Sequence, residues 1–172
     1  MSTNLMILLL IVFIVLFVDS IVIFIVNSYN KLILQKNELT DNYKELYNEV
    51  NFKFNLAKQY LPYIKTYIDT NSYNGVMNLI DSFNTKVSIT DVSNSYYSLN
   101  YMLFQINKIT SQVGFSAPEW DKAFNDANTR IETARGKYDD NVLKMNNLIS
   151  RAPTNMVAKM FGIGRWQYFR TA

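Results

Sequence analysis

The sequence predicts an all-α protein, in which an N-terminal transmembrane helix is followed by an antiparallel up-and-down bundle of three to four helices. Residues 5–26 are apolar at every position except Asp19 and Ser20. In most of the remaining chain, apolar residues recur every three or four positions, as they do on one face of a helix. Strict alternation of apolar and polar residues, the signature of a strand, is not found.

The apolar stretch, residues 5–26, has the length and composition of a helix that spans a membrane. At about 1.5 Å per residue it extends roughly 33 Å, close to the thickness of a hydrocarbon core, about 30 Å. A cleavable signal peptide is the alternative. However, residues 1–4 carry no Lys or Arg, and no A-x-A-like cleavage site follows the stretch. We therefore expect an uncleaved anchor.

The flanking charges predict how this anchor is oriented. Lys31, Lys36 and Lys44 follow it, whereas no basic residue precedes it. Residues 1–4 are therefore expected outside and the bundle, residues 27–162, in the cytosol. The absence of Cys agrees with a reducing compartment. Composition suggests an AT-rich bacterial or viral genome, and for a virus the membrane is that of the host or the virion.

Asp19 is the one charged residue of the apolar stretch. A carboxylate at the bilayer centre costs roughly 2.5–3.5 kcal/mol on insertion scales. Asp19 lies seven residues before the cytosolic end, where water reaches it more easily. Two interpretations remain open: a polar contact between spans in an oligomer, or a charge tolerated near the interface.

Four amphipathic helices are predicted after the span. The first extends to about Asp69 and continues the span, because residues 26–29 contain no Gly or Pro; Pro62 is expected to kink it near Lys58. Residues 71–75 are expected to form a turn before a second helix at 76–87. Residues 89–91 should interrupt the chain before a third helix at 92–113, which Gly114 ends.

The fourth helix has the clearest start signal, a capping box with Ser116 and Glu119 around Pro118. It should extend to Pro153, with two further turns at residues 154–161. Up-and-down packing then returns residues 163–172, a basic aromatic tail, toward the bilayer. The residues predicted to contact the membrane interface are Arg165, Trp166, Tyr168, Phe169 and Arg170. The alternative is that these aromatic residues cover the open end of the bundle.

Composition argues against catalysis. The chain has no His and no Cys, which removes the commonest metal ligands, general bases and nucleophiles, so no metal, cofactor or catalytic residue is predicted. Phosphate-binding glycine motifs are absent, which gives no sign of a small-molecule substrate, and the dispersed charge does not favour nucleic acid. The alternative is a catalytic or cation-binding accessory that uses the carboxylates of the fourth helix: Asp121, Asp126, Glu132, Asp139 and Asp140.

We therefore expect a non-enzymatic scaffold or protein-interaction module, whose partners are the lipid bilayer and an unidentified protein or a second copy of the chain. Five polar residues are expected on the inner flank of the bundle: Arg130, Arg135, Tyr138, Asn146 and Asn155. They either satisfy neighbouring backbone groups or bind an anion or a partner, and the structural role is preferred.

Two segments carry a resemblance to a known family. The rear segment fits the pattern R-I-x-x-A-R-x-x-Y-x-x-x-V-x-x-x-N-x-x-I-x-x-x-P-x-N-x-V-A-x-x-F-G from Arg130 to Gly162. The front segment contributes Tyr29, Asn30, Asn37, Tyr43, Leu46, Val50, Lys53, Asn55 and Leu56. Over nearly its whole length the chain resembles the LemA family. This resemblance implies a single-pass membrane protein with a short exterior N-terminus and an antiparallel helical bundle, and it implies no molecular function.

The chain departs from the family pattern at three places. The usual tryptophan is Tyr43, and the usual proline is Lys58, with Pro62 four residues later. A glutamate that usually precedes N-R-I is replaced by Asn128. Any role of that acidic position therefore does not carry over to this chain.

Overall fold

The computed structural model describes residues 3–169, and this part of the chain is helical and contains no strand. The helices are α1 (Thr3–Ile64), α2 (Thr70–Phe83), α3 (Ile89–Gln112), α4 (Pro118–Ser150) and α5 (Thr154–Met160). The predicted all-α class is confirmed. As predicted, α1 continues without interruption from the apolar stretch. It ends at Ile64, before the predicted end at about Asp69, so Pro62 lies in its last turn.

The starts of α2 and α3 differ from the predicted ones. The Asp69 carboxylate accepts a hydrogen bond from the Ser72 backbone amide at 2.9 Å, so residues 71–75 lie inside α2 and form no turn. Ser88 caps α3 in the same way by accepting from the Asp91 amide at 3.1 Å. Residues 89–91 are thus the first turn of α3 and no interruption. Both α2 and α3 therefore begin at a capping side chain, before the apolar periodicity becomes visible.

Two glycines end helices: Gly114 ends α3, as the sequence predicts, and Gly162 ends α5 in the same way. Gly114 has φ +78°, and the next amide, that of Phe115, donates to the Thr110 carbonyl at 3.0 Å. Gly162 has φ +64°, and the Ile163 amide donates to the Ala158 carbonyl at 2.9 Å. Both are Schellman-type ends, which require a left-handed residue that glycine adopts without strain.

The described chain forms two compact units, and the predicted bundle domain of residues 27–162 stays a prediction. The first unit comprises Met1–Glu38 and Leu143–Trp166, and the second comprises Leu39–Val142 and Gln167–Ala172. Helices α2 and α3 lie wholly in the second unit, whereas α1 and α4 contribute residues to both.

The second unit is an up-down-up-down bundle. Lys58 of α1 pairs with Asp81, and Phe54 stacks on Phe83 with ring centroids 3.9 Å apart, so α1 and α2 are antiparallel. Helices α1 and α3 are parallel, because Lys53 bonds Asn100 and Tyr60 bonds Asn107. Helices α1 and α4 are antiparallel, because Glu45 pairs with Lys137 and Glu49 pairs with Arg130. The core includes Leu39, Leu46, Val50, Phe54, Phe83, Leu99, Ile106, Ile131 and Val142.

In the first unit, α5 packs on the part of α1 that follows the apolar stretch. The Tyr29 and Phe161 rings lie 4.5 Å apart, while Leu32, Val157 and Ala158 are buried. The apolar stretch itself, residues 5–26, is exposed almost all round, and it is long and apolar enough to cross a membrane.

Candidate functional site

Side chains of α4 hold a non-helical C-terminal segment, residues 163–169. In the first unit, the Asn146 amide pairs with both backbone groups of one residue: it donates to the Trp166 carbonyl at 2.9 Å and accepts from the Trp166 amide at 3.0 Å. Arg165 donates to the Ser150 hydroxyl at 3.0 Å. Asn146 thus satisfies both backbone hydrogen-bonding groups of Trp166.

In the second unit the same segment is held by three further bonds. The Tyr138 hydroxyl donates to the Gln167 carbonyl at 2.8 Å, and burial raises the pKa of Tyr138, which keeps this donor protonated. The Phe169 amide donates to the Asp139 carboxylate at 2.9 Å, and Thr90 of α3 donates to the Gln167 side chain at 2.6 Å. Burial raises the pKa of Asp139, although the Phe169 amide and Arg135 oppose this effect.

The tail residues predicted at the membrane interface have different surroundings. Phe169 is 1 % exposed and contacts the rings of Tyr96 and Tyr97, at centroid distances of 5.8 and 6.1 Å. For Phe169 the interface prediction is therefore wrong, because its ring is covered by α3. Tyr168 is exposed and Trp166 half-buried, and Arg170 lies outside the described residues. For the other tail residues, membrane contact stays a prediction.

A buried lysine defines a second polar site, the lysine chamber, in the second unit. The Lys53 side chain is 2 % exposed, donates to Asn100 and Asn128, and lies 5.0 Å from the centroid of the Tyr96 ring. A cavity of about 550 Å³ adjoins it, lined also by Asn107, Asn125 and Asp121. Within residues 3–169, Lys53 forms no ion pair with a carboxylate.

Burial without a carboxylate partner changes the acid strength of Lys53. It lowers the pKa of Lys53 to about 8, because the charged ammonium has lost most of its water. Asn128, which accepts from Lys53, is the position at which the resemblance places a glutamate. The neutral amide of Asn128 therefore leaves the Lys53 ammonium without a compensating charge.

The carboxylates of α4 do not converge. Glu132 and Asp139 both pair with Arg135, while Asp121 lines the lysine chamber. Among residues 3–169, no group of three or more His, Cys, Asp or Glu residues is placed to hold a metal ion. Of the inner polar residues, Arg130 pairs with Glu49 at 2.8 Å, and the Asn155 side-chain oxygen is buried and has no hydrogen-bond partner within the described part.

The first unit contains a third polar site, which we call the basic groove. This cavity of about 660 Å³ is lined by the cations Lys31, Lys144 and Arg151 and by the apolar residues Phe24, Leu148 and Pro153. Lys31 and Phe24 come from α1, whereas Lys144 and Leu148 come from the last turns of α4. In the described part of the chain, no carboxylate pairs with any of the three cations.

The polar residues within the apolar stretch are Asp19 and Ser20. The Ser20 hydroxyl donates to the Leu16 carbonyl at 2.7 Å, which satisfies it within the helix. Asp19 is exposed on the helix surface, and its predicted contact with another span stays a prediction.

Sequence reasoning missed the lysine chamber and the basic groove. Lys53 resembles any solvated lysine on an amphipathic helix, and only its i−3 and i+4 neighbours Val50 and Ala57, both buried, indicate that it lies on the inner face. The groove joins residues that are more than 100 positions apart. Its signal was the absence of acidic residues after Asp140, which by itself points only to a basic tail.

Part of the sequence matches a known protein family. Residues 117–172 match the model of the LemA family, which confirms the predicted resemblance through α4, α5 and the C-terminal segment. The front part of the resemblance, from Tyr29 to Leu56, lies outside the matched residues and stays a prediction. No curated protein matches the chain.

Proposed function

From the LemA-family resemblance and the exposed apolar stretch, we propose that this chain is a single-pass, membrane-anchored scaffold without catalytic activity. The observation that carries the proposal is the exposure of residues 5–26, in which side chains such as Phe13, at 68 %, and Leu16, at 61 %, face outward. Twenty apolar side chains in water cost about 1.5–3 kcal/mol each, so the stretch requires an apolar environment. A bilayer provides it around the whole circumference of the helix.

The proposed orientation has the N-terminus outside and the bundle in the cytosol. Its support is the asymmetry of charge, because Lys31, Lys36 and Lys44 follow the apolar stretch and no basic residue precedes it. In this orientation the residues that follow the stretch are available to cytosolic partners.

The non-catalytic character is supported by residue types and by the contacts they make. Because the chain has no His or Cys, the candidates for acid–base or nucleophilic catalysis are carboxylates, Tyr and Lys. Asp139 and Tyr138 hold the C-terminal segment, and Glu132 and Asp139 neutralise Arg135. These groups have structural partners, which agrees with a scaffold.

We expect cysteine labelling to test both the anchoring and the orientation, because the natural chain has no Cys background. Full-length Asn4→Cys and Ser98→Cys variants are made in cells, and a membrane-impermeant maleimide is added. Asn4→Cys should be labelled in intact cells, whereas Ser98→Cys, which is exposed in the second unit, should be labelled only after permeabilisation. Both variants should stay with the membrane after alkaline carbonate extraction.

Labelling of Ser98→Cys in intact cells would contradict the orientation, and release of the chain by carbonate would contradict the anchoring. An Asn4→Cys/Ser98→Cys double variant, labelled before and after permeabilisation, provides the internal control for reagent access.

The proposed partner surface lies on α3 in the second unit. Tyr101 and Phe104 are three residues apart on one helix and are 67 % and 66 % exposed. Exposed aromatic side chains are enriched at protein interfaces, where they supply large contact areas with few rotatable bonds. The surface is therefore suited to a protein partner or a second copy of the chain.

Proximity labelling in the native cell tests this surface. We expect a Tyr101→Ser/Phe104→Ser variant to label its main neighbouring protein at least fivefold less than the natural chain does. Leu34→Ser/Leu143→Ser removes two exposed apolar side chains elsewhere and should leave the labelling unchanged. Equal labelling by both variants would show that the α3 surface is not the interface.

A further inference from the structure

The positive charge of the molecule is concentrated in the first unit. Residues 1–38 and 143–166 contain six basic and two acidic residues, a net charge of +4, while the rest of the chain has eleven basic and twelve acidic residues, a net charge of −1. The excess of +3 over the whole chain thus comes entirely from the unit that contains the apolar stretch. Three of the six basic residues, Lys31, Lys144 and Arg151, line the basic groove.

The groove lies at the end of the apolar stretch. Phe24 is two residues before that end, and Lys31 and Gln35 are five and nine residues after it. At about 1.5 Å per residue, the part of α1 that lines the groove covers roughly 16 Å along the helix axis. It therefore begins at the edge of the hydrocarbon and extends through the headgroup layer, which is about 5–8 Å thick on each side of a bilayer.

The lining of the groove is divided between charge and apolar surface. The Arg151 guanidinium and two lysines are suited to phosphate oxygens, since Arg binds them bidentately and Lys acts as a point charge. The buried Ser28 and the side chains of Asn27 and Asn147 add neutral polar groups to the lining. Phe24, Leu148 and Pro153 provide an apolar wall, for which a free phosphate ion has no use.

We propose that the basic groove binds the phosphate of one anionic phospholipid, with the glycerol and the upper acyl chain against Phe24 and Leu148. The inference rests on the proposed function, because the groove meets lipid only if residues 5–26 span the bilayer. It adds a lipid preference to the anchor: the first unit recognises anionic headgroups, which are enriched in the cytoplasmic leaflet.

Native mass spectrometry of the full chain, released from mixed micelles that hold equal amounts of phosphatidylglycerol and phosphatidylcholine, tests the proposal. We expect one phosphatidylglycerol to be retained with at least tenfold preference. Each basic residue near an anionic headgroup is worth about fivefold in affinity. The Lys31→Gln/Lys144→Gln/Arg151→Gln variant should therefore lose this preference.

The matched control removes the same charge from the second unit. Lys86→Gln/Lys108→Gln/Lys122→Gln should retain the preference, because these lysines lie outside the groove. Equal loss in both triple variants would show that net charge alone attracts the lipid and would overturn the site. Displacement of the lipid by 10 mM inorganic phosphate would assign the groove to the free ion and overturn the lipid as its ligand.

Failure of the inference is distinguishable from failure of the proposed function. Carbonate extraction of the same triple variant reports on the anchor and does not depend on the groove. A chain that is inserted in the membrane but shows no preference for anionic lipid overturns only the inference, whereas a chain that carbonate releases overturns both.

Discussion

Replacing Phe169 by alanine is expected to lower the free energy of unfolding by about 3–5 kcal/mol, the usual cost of removing a buried phenylalanine ring. Phe169 is 1 % exposed and fills the space beside Tyr96 and Tyr97, so its removal leaves a cavity between the C-terminal segment and α3. The measurement is denaturant unfolding of the full chain in detergent micelles, followed by circular dichroism.

Tyr168→Ala provides the control, because this neighbouring ring is 42 % exposed. We expect it to change the free energy of unfolding by less than about 1 kcal/mol. If the two variants are equally stable but Phe169→Ala alone weakens binding to anionic vesicles, then the ring acts at the membrane interface and our assignment to the core is wrong.

Raising the pH from about 7.5 to 9.5 is expected to stabilise the second unit through Lys53. The pKa of Lys53 is about 8 in the folded chain and 10.5 when unperturbed, so between these values the unfolded state binds more protons. The free energy of unfolding therefore rises with pH across this window. Its total increase between the two pKa values is about 3 kcal/mol. Below pH 8 the cost of the buried ammonium is fully present.

Buried tyrosines set the upper limit of the pH range in which the effect of Lys53 can be measured. Burial raises the pKa of Tyr43, Tyr60, Tyr96, Tyr97 and Tyr138 above 10.0, so stability falls again as the unfolded state loses these protons. Lys53→Met should remove the rise between pH 7.5 and 9.5. Lys58→Met, at an exposed lysine, should retain it. An unchanged rise in Lys53→Met would show that another group is responsible.

The helices could be predicted from the sequence because their causes are local. Apolar spacing marks α1 and α4, Gly114 and Gly162 mark two helix ends, and Pro118 marks the start of α4. The starts of α2 and α3 were misplaced although their signals, Asp69 and Ser88, are also local. Several Asn and Ser residues nearby are equally good caps, and only the folded chain shows which one accepts the amide.

The sites depend on which residues of distant segments lie opposite each other. The spacing of apolar residues along the chain does not specify this. An aromatic residue in a basic tail suits both a membrane interface and a helix surface, and the position of Phe169 follows from bonds made by Tyr138 and Asp139. The sequence predicted these inner polar side chains as partners of backbone groups, and Tyr138 and Asn146 make such bonds. That their partner is residues 163–169 could not be read from the spacing.

The contacts of the C-terminal segment indicate when it docks during the folding of the second unit. Gln167 bonds Thr90, 77 residues earlier, and Tyr138, 29 residues earlier, so its docking surface exists only after α3 and α4 have packed together. A segment without hydrogen bonds of its own has no reason to become ordered before that surface forms. We therefore expect it to dock last during folding and to detach first, which makes the protection of the Phe169 amide against hydrogen exchange a direct measure of local opening.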